Sequence, residues 1–223
     1  MEKRERSKDE IPFRELTTSQ KISYLWDYWK MPVIIIACVV VVVVSLAYTM
    51  LTSKDPLLSV TMVDVGNDTS FTPYIQNYGK EQGIPEDQLV ISDMVVGTAA
   101  TGGGVSSQSG MAFYVRLQAG GEDVVILPEE VFTEFASGGY FLDLTDVVPN
   151  EWQEKLVVVA QRYDEFDQVQ PEPIACGIKA SDIPGMPDTP YYENAVVALS
   201  YYPTNYDQAV DFLTTLLTDA DKQ

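Results

Sequence analysis

Residues 31–51 read MPVIIIACVVVVVVSLAYTML, an uninterrupted stretch without a single charge. At about 1.5 Å rise per residue, a helix of this length spans roughly 31 Å, the thickness of a bilayer hydrocarbon core. Valine and isoleucine are mediocre helix formers in water. In lipid, however, every unpaired backbone group costs several kcal/mol, so a helix is the one structure such a segment can adopt. Everything else in the chain is therefore divided between the two sides of a membrane.

The flanks orient the span. Trp26, Tyr28 and Trp29 precede it, where amphipathic rings settle at the headgroup level, and Arg14, Lys21 and Lys30 lie on the same side. Beyond the span the first cation is Lys54, followed at once by Asp55. The positive-inside bias places residues 1–30 in the cytoplasm as a tail with an interfacial aromatic segment. Residues 19–29 form either a short interfacial helix or a continuation of the membrane helix. Residues 52–56 are a linker, and residues 57–223 form an extracytoplasmic domain. Ser45-Leu46-Ala47 has the small residues of a signal-peptidase site, but the long N-terminal region and the apolar residues after it point to an uncleaved anchor. Ile35-Ile36-Ala37-Cys38 resembles a lipoprotein box, yet the valine run follows where a polar tether belongs. Cys38 is expected to be a small apolar member of the helix.

The 172 residues after the span are enough to bury a core without disulfides or metals. They carry seven Lys and Arg against 27 Asp and Glu, a net of −20. Such a field repels nucleic acid and anionic membrane and keeps the domain soluble. The two cysteines, Cys38 and Cys176, stand on different sides of the boundary, so no intrachain bridge is expected. The chain has no histidine. That removes His-based zinc sites, Ser–His and Cys–His nucleophile pairs, and imidazole acid–base chemistry.

The periodicity of the outer segment predicts an α/β fold with a mainly parallel sheet. Residues 57–65, 89–96 and 123–127 are aliphatic, β-branched runs and read as strands. Between them lie helical patterns. Ser70 is placed to cap a helix over 71–82, facing inward with Tyr74, Ile75 and Tyr78. A second helix follows Ser109, with Met111, Tyr114, Val115 and Leu117 inward. Pro128 opens a third, which carries Glu129 and Glu130 in its first turn. Strand–helix alternation with short linkers implies right-handed βαβ units. Residues 156–160 and 195–201 read as further strands and 207–217 as a terminal helix. The proline-rich stretch 168–190 reads as irregular or as an edge excursion.

In an open α/β sheet, ligands sit outside the carboxyl ends of the strands. This places a candidate crevice at Asp64, Asn67, Asp68, Gly102, Gly103, Pro128, Glu129 and Glu130. The glycines do not form a phosphate cradle, because neither GxxxxGK[ST] nor GxGxxG is present. Asp164, Glu165 and Asp167 lack the spacing of a calcium loop. GxSxG and SxxK are absent, and Lys179 is the only basic residue near Cys176. Neither a cofactor, a metal nor a catalytic activity is expected.

Residues 117–149, LQAGGEDVVILPEEVFTEFASGGYFLDLTDVVP, carry Ala119-Gly120, a strand opening at Asp123, Gly138-Gly139 and Leu142-Asp143-Leu144-Thr145-Asp146 in order. In this the stretch resembles the extracellular solute-binding proteins of bacterial ABC importers, and the preceding strand–helix–strand is similar to their N-terminal lobe. Residues 20–32, QKISYLWDYWKMP, look like those of anchored proteins of Gram-positive bacteria. The resemblance implies a single periplasmic-binding-protein-like lobe held at the cell membrane. Two functions follow from it. One is a non-catalytic interaction domain contacting an envelope protein or surface ligand. The other is an accessory receptor presenting a small neutral or cationic solute to an importer.

Overall fold

The computed structural model describes residues 17–52, 55–98, 102–104, 106–160, 162–163, 168–169 and 173–218. Two compact units divide the chain, residues 1–53 and residues 54–223. The first contains one helix, α1 (Thr18–Thr52), which runs without a break from the aromatic flank through the apolar segment. Residues 19–29 are thus a continuation of the long helix. Pro32 lies inside it, at the entry to the apolar stretch. Met31–Tyr48 is long and apolar enough to cross a membrane, and its side chains are exposed throughout.

The second unit is built on a six-stranded sheet. Its elements in chain order are β1 (Leu58–Val63), α2 (Thr72–Glu81), β2 (Leu89–Met94), α3 (Gln108–Gln118), β3 (Val124–Pro128), α4 (Glu129–Ser137) and β4 (Leu156–Val159). After these come a two-residue pair, β5 (Arg162–Tyr163) and β6 (Gln168–Val169), then β7 (Ile174–Lys179), α5 (Pro190–Glu193), β8 (Ala195–Leu199) and α6 (Tyr206–Thr218). The strand order is β2-β1-β3-β8-β7-β4. β1 pairs parallel with β2 and β3, whereas β3–β8, β8–β7 and β7–β4 are antiparallel. The sheet is therefore mixed, with β2, β1, β3 and β7 sharing one direction.

Central strands are apolar on both faces because both faces are covered. Every residue of β1 and β8 is buried, as are Val124 to Leu127 of β3. On one face, Leu58, Val60, Met62 and Ile126 pack against Ile75 and Tyr78 of α2 and Phe212, Leu213 and Leu216 of α6. On the other, Val63, Val125 and Leu127 meet Phe113 and Leu117 of α3 and Phe132 and Phe135 of α4. The result is three layers, with helices α2 and α6 opposite α3 and α4. Tyr78 joins the first pair, donating to Asp211 Oδ2 and accepting from Gln208 Nε2, both at 2.6 Å.

Three expectations need correction. The stretch 168–190 contains β7, an interior strand between β8 and β4. Its sequence, IACGIK, hides this because Gly177 interrupts the aliphatic run. A Cβ there would stand 2.5 Å from Val196 Cγ1 and 2.7 Å from Phe132 Cζ, so packing across the strand demands the glycine. On α3 the buried residues are Gly110, Phe113 and Leu117, while Met111 and Val115 are exposed. Phe113 sets that face by stacking edge-on against Phe135 at 5.0 Å, and the helix starts earlier, capped by Ser107 accepting from Gly110 N. Ser70 does not cap α2. Its amide and hydroxyl both donate to Asp68 Oδ1, closing an Asx turn ahead of the helix.

Candidate functional site

In the order β2-β1-β3, the first crossover runs to one side of β1 and the second returns to the other. Where the direction reverses, between the carboxyl ends of β1 and β3, an open α/β sheet has its natural crevice. The three strands are parallel, so the residues following them lie along one edge of the sheet.

β1 exits through Asp64, which adopts a left-handed backbone with φ of 57°. Such a conformation is uncommon outside glycine, although Asp and Asn tolerate it best. Here it turns the carboxylate onto the exit of β2. Asp64 Oδ1 accepts from Val96 N at 2.9 Å and Gly97 N at 3.0 Å, and Oδ2 accepts from Gly97 N at 2.9 Å. The glycine loop then folds back on the same exit, with Gly103 N donating to Thr98 O at 2.8 Å and Gly104 N to Gly97 O at 3.0 Å. A Cβ on Gly103 would lie 2.3 Å from Val96 O, so this return is closed to any other residue. Asp64 and Gly103 thus both serve the β2 exit, and Gly102 is exposed at the turn beside them.

Asn67 is exposed in the turn after β1. Asp68 is engaged. Besides Ser70 it accepts from Thr189 Oγ1 at 2.6 Å, and these hydrogen bonds hold its carboxyl below the usual range. Pro128 ends β3 at the N-cap position of α4, where Glu129 N donates to Asn194 O at 2.9 Å. The Glu129 side chain meets Lys179, at the end of β7, at 3.2 Å. Glu130 is exposed one residue on.

Thr189 and Asn194 bracket α5, and between them lies the residue that decides the crevice. Tyr191 Oη donates to Val63 O at 2.7 Å, the last carbonyl of β1, and to Ile126 O at 2.9 Å, within β3, on either side of the reversal. Its ring stands edge-on to Tyr192 at 4.8 Å, and Tyr192 in turn lies beside Phe71 at 5.9 Å. Burial pushes the phenols of both tyrosines upward, Tyr192 to about 12, so both remain neutral donors. The chain has inserted its own side chain at the reversal, the place where open α/β sheets commonly hold ligands. Beside this plug remains a groove of about 310 Å³ under the N-terminal turn of α2, lined by Met62, Val65, Asp68, Thr72, Gln76 and Ile91 among others.

A second polar assembly lies at the opposite, amino-terminal edge of β3. Glu122 and Asp123 are both fully buried. Asp123 Oδ2 accepts from Ser59 N at 2.7 Å, while Oδ1 accepts from Thr204 N at 2.6 Å and Asn205 N at 3.2 Å. One carboxylate thereby fastens the start of β1 and the β8–α6 connection to β3. Glu122 accepts from Thr61 Oγ1, and Arg116 Nε of α3 stands 2.5 Å from its Oε1. Thr61 and Ser92 share a hydrogen bond of 2.7 Å, and Arg116 Nη2 reaches Ser92 Oγ at 3.3 Å. Burial raises the pKa of both acids, more than their hydrogen bonds lower it.

The strand and helix periodicities do not announce this cluster, although a signal exists. Ser59 and Thr61 alternate within an otherwise apolar strand, and Glu-Asp opens the most hydrophobic one. Polar residues at period two in a buried strand need buried partners. Cys176 is buried, with its thiol pushed up to about 12, which leaves it a poor nucleophile. Among the described residues, no three His, Cys, Asp or Glu side chains gather as a metal site requires. Asp164, Glu165 and Asp167 lie outside the described residues.

Comparison with protein-family models, with curated proteins and with solved structures gives no match to this chain.

Proposed function

We propose that the chain is a membrane-anchored interaction protein. Residues 31–51 hold it in the cell membrane with the N-terminus cytoplasmic. The acidic α/β domain, outside, contacts an envelope protein or surface ligand without catalysing a reaction. The observation that carries this reading is Tyr191 filling the reversal between β1 and β3. An enclosed small-molecule site needs a concave space that buries most of its ligand. Here that space is taken, and what remains of the surface is open and negatively charged. A field of this sign draws cationic protein segments and repels nucleic acid.

A second reading, an accessory solute receptor for an ABC-type importer, draws on the groove beside the plug and on the solute-binding resemblance of residues 117–149. The acidic residues of that groove, Asp68 and Asp93, suit a neutral polyol or a cationic group. Thermal melts of the full chain in nanodiscs separate the two readings. Neutral polyols and sugars at about 10 mM should leave the melting temperature within about a degree, as expected for ligands that gain no buried area. A saturating Lys-rich peptide should raise it by roughly 5 °C, and about 0.5 M salt should erase the shift. Stabilisation by a polyol, with none by the peptide, would replace the interaction reading with the receptor.

A further inference from the structure

β2 ends the sheet on one side, and no strand among the described residues pairs with its outer edge. Its inner edge is identified by the carbonyls of Gln88 and Met94, which accept from Leu57 N at 2.8 Å and Asp64 N at 2.7 Å. Backbone groups alternate sides along a strand. The even-numbered residues therefore serve β1, while Ile91, Asp93 and Val95 direct their N–H and C=O groups outward.

An open edge of this kind invites another chain, and proteins commonly guard it with lysine, proline or a bulge. At the opposite edge of the sheet, β4 has such a guard, a register irregularity between Val157 and Val158. β2 has none of the three, and its one charged side chain is Asp93. It reads LVISDM and keeps perfect register with β1 over all six pairs. Its surroundings suit an added strand, whose side chains would alternate between the two faces. On the α2 face lies a groove of about 380 Å³, lined by Gly79, Lys80, Ile84, Glu86, Leu89 and Ile91 among others. Gly79 is what lets Leu89 approach α2, since a Cβ there would stand 2.7 Å from Leu89 Cδ2. On the other face Val90 is exposed, and just past the end of the strand Val95 is 74% exposed.

We propose that β2 is a docking edge that takes an extended segment of a partner protein, with aliphatic residues alternating with Lys or Arg. The assignment rests on the interaction reading above and names its surface. Main-chain hydrogen bonds to Ile91, Asp93 and Val95 supply affinity, and the groove beside Leu89 takes every second side chain. Charge selects the occupant. Asp93 is exposed near the end of β2, Glu86 and Lys80 offset one another in the groove, and the domain as a whole carries 20 net negative charges, which set the sign of the field. A second copy of this chain would bring the same charge against itself, whereas a cationic strand is attracted.

The test uses the full chain in nanodiscs of uncharged phosphatidylcholine and a labelled seven-residue peptide alternating Val and Lys. Three further peptides serve as comparisons. One replaces Lys by Glu, and two are N-methylated at alternate residues, each in a different phase. The Val/Lys peptide should bind and slow hydrogen exchange of the Ile91, Asp93 and Val95 amides about tenfold. The Glu peptide should not bind, and one methylation phase should abolish binding while the other spares it. Asp93→Pro removes an outward donor without touching the β1 ladder and should weaken binding about tenfold or more. Asp93→Asn, which keeps the donor, should weaken it about threefold. If Asp93→Pro does not fold, the methylated peptides still decide the question on the native chain. Equal binding by both methylated peptides, or by the Glu peptide, overturns the proposal. Self-association of the native chain that Asp93→Pro abolishes would make a second copy the occupant and also overturn it. Peptide-induced stabilisation that persists fully in Asp93→Pro would remove the docking edge and leave the interaction reading standing.

Discussion

Asp123→Ala should lower the stability of the α/β domain by about 3–5 kcal/mol, because it strands several backbone donors at once. The carboxylate accepts from Ser59 N, Thr204 N and Asn205 N, three amides from two distant parts of the chain. The side chain is fully buried, so water cannot take its place without opening the structure. For a domain of this size the loss corresponds to a drop in melting temperature of roughly 10 °C. Asp123→Asn retains one acceptor oxygen and should lose about half as much. Differential scanning calorimetry of the full chain measures both. A change of a degree or less in Asp123→Ala would mean that the three amides have other acceptors. The fastening role would then be wrong.

Tyr191→Ala should produce the second large effect. It removes an aromatic ring from the reversal between β1 and β3 and withdraws the donor shared by Val63 O and Ile126 O. Because the ring is only partly buried, the expected cost is about 3 kcal/mol, at the low end for aromatic truncation. Tyr191→Phe keeps the ring and loses only the hydroxyl, for about 1–2 kcal/mol. The two variants divide the plug into its packing and its hydrogen bonds. Urea unfolding followed by circular dichroism gives both values. If Tyr191→Ala melts like the native chain, α5 does not plug the crevice, and the strand ends are free for a ligand.

The parts of the fold legible in the sequence are those whose chemistry is local. The apolar run of residues 31–51 and the aliphatic core of β3 are each unambiguous over a short window. The three parallel strands and the helices between them follow from periodicity and short linkers. β7 is not legible, because the requirement for Gly177 comes from Phe132 and Val196, neither of them near it in sequence. The face of α3 misleads for a related reason. Met111 and Val115 extend a plausible apolar stripe with Tyr114 and Leu117, but Phe113 has a ring partner on α4 and wins the inward position. Packing between elements overrides the pattern within one.

The candidate site divides along the same line. Strand direction alone places Asp64, Gly103 and Glu129 on one edge of the sheet. What each side chain does there depends on partners that no local pattern announces. Asp64 ties β1 to the β2 exit, Asp68 holds Thr189, and Glu129 meets Lys179 50 residues away. The plug is the extreme case, since Tyr191 reaches Val63 across 128 residues. A tyrosine within a Thr-Pro-Tyr-Tyr stretch suits core or edge packing, or stacking on a sugar. Only the assembled sheet shows that its hydroxyl lies between Val63 O and Ile126 O.

The interaction reading requires the acidic domain to face outward on an intact anchor. Protease added to intact cells producing the full chain with an N-terminal and a C-terminal epitope tests this most directly. The expected result is loss of the C-terminal epitope while the N-terminal one survives on a short, membrane-retained fragment that still includes residues 31–51. Protection of the C-terminal epitope until the membrane is breached, or a mature chain beginning at Tyr48, would contradict it.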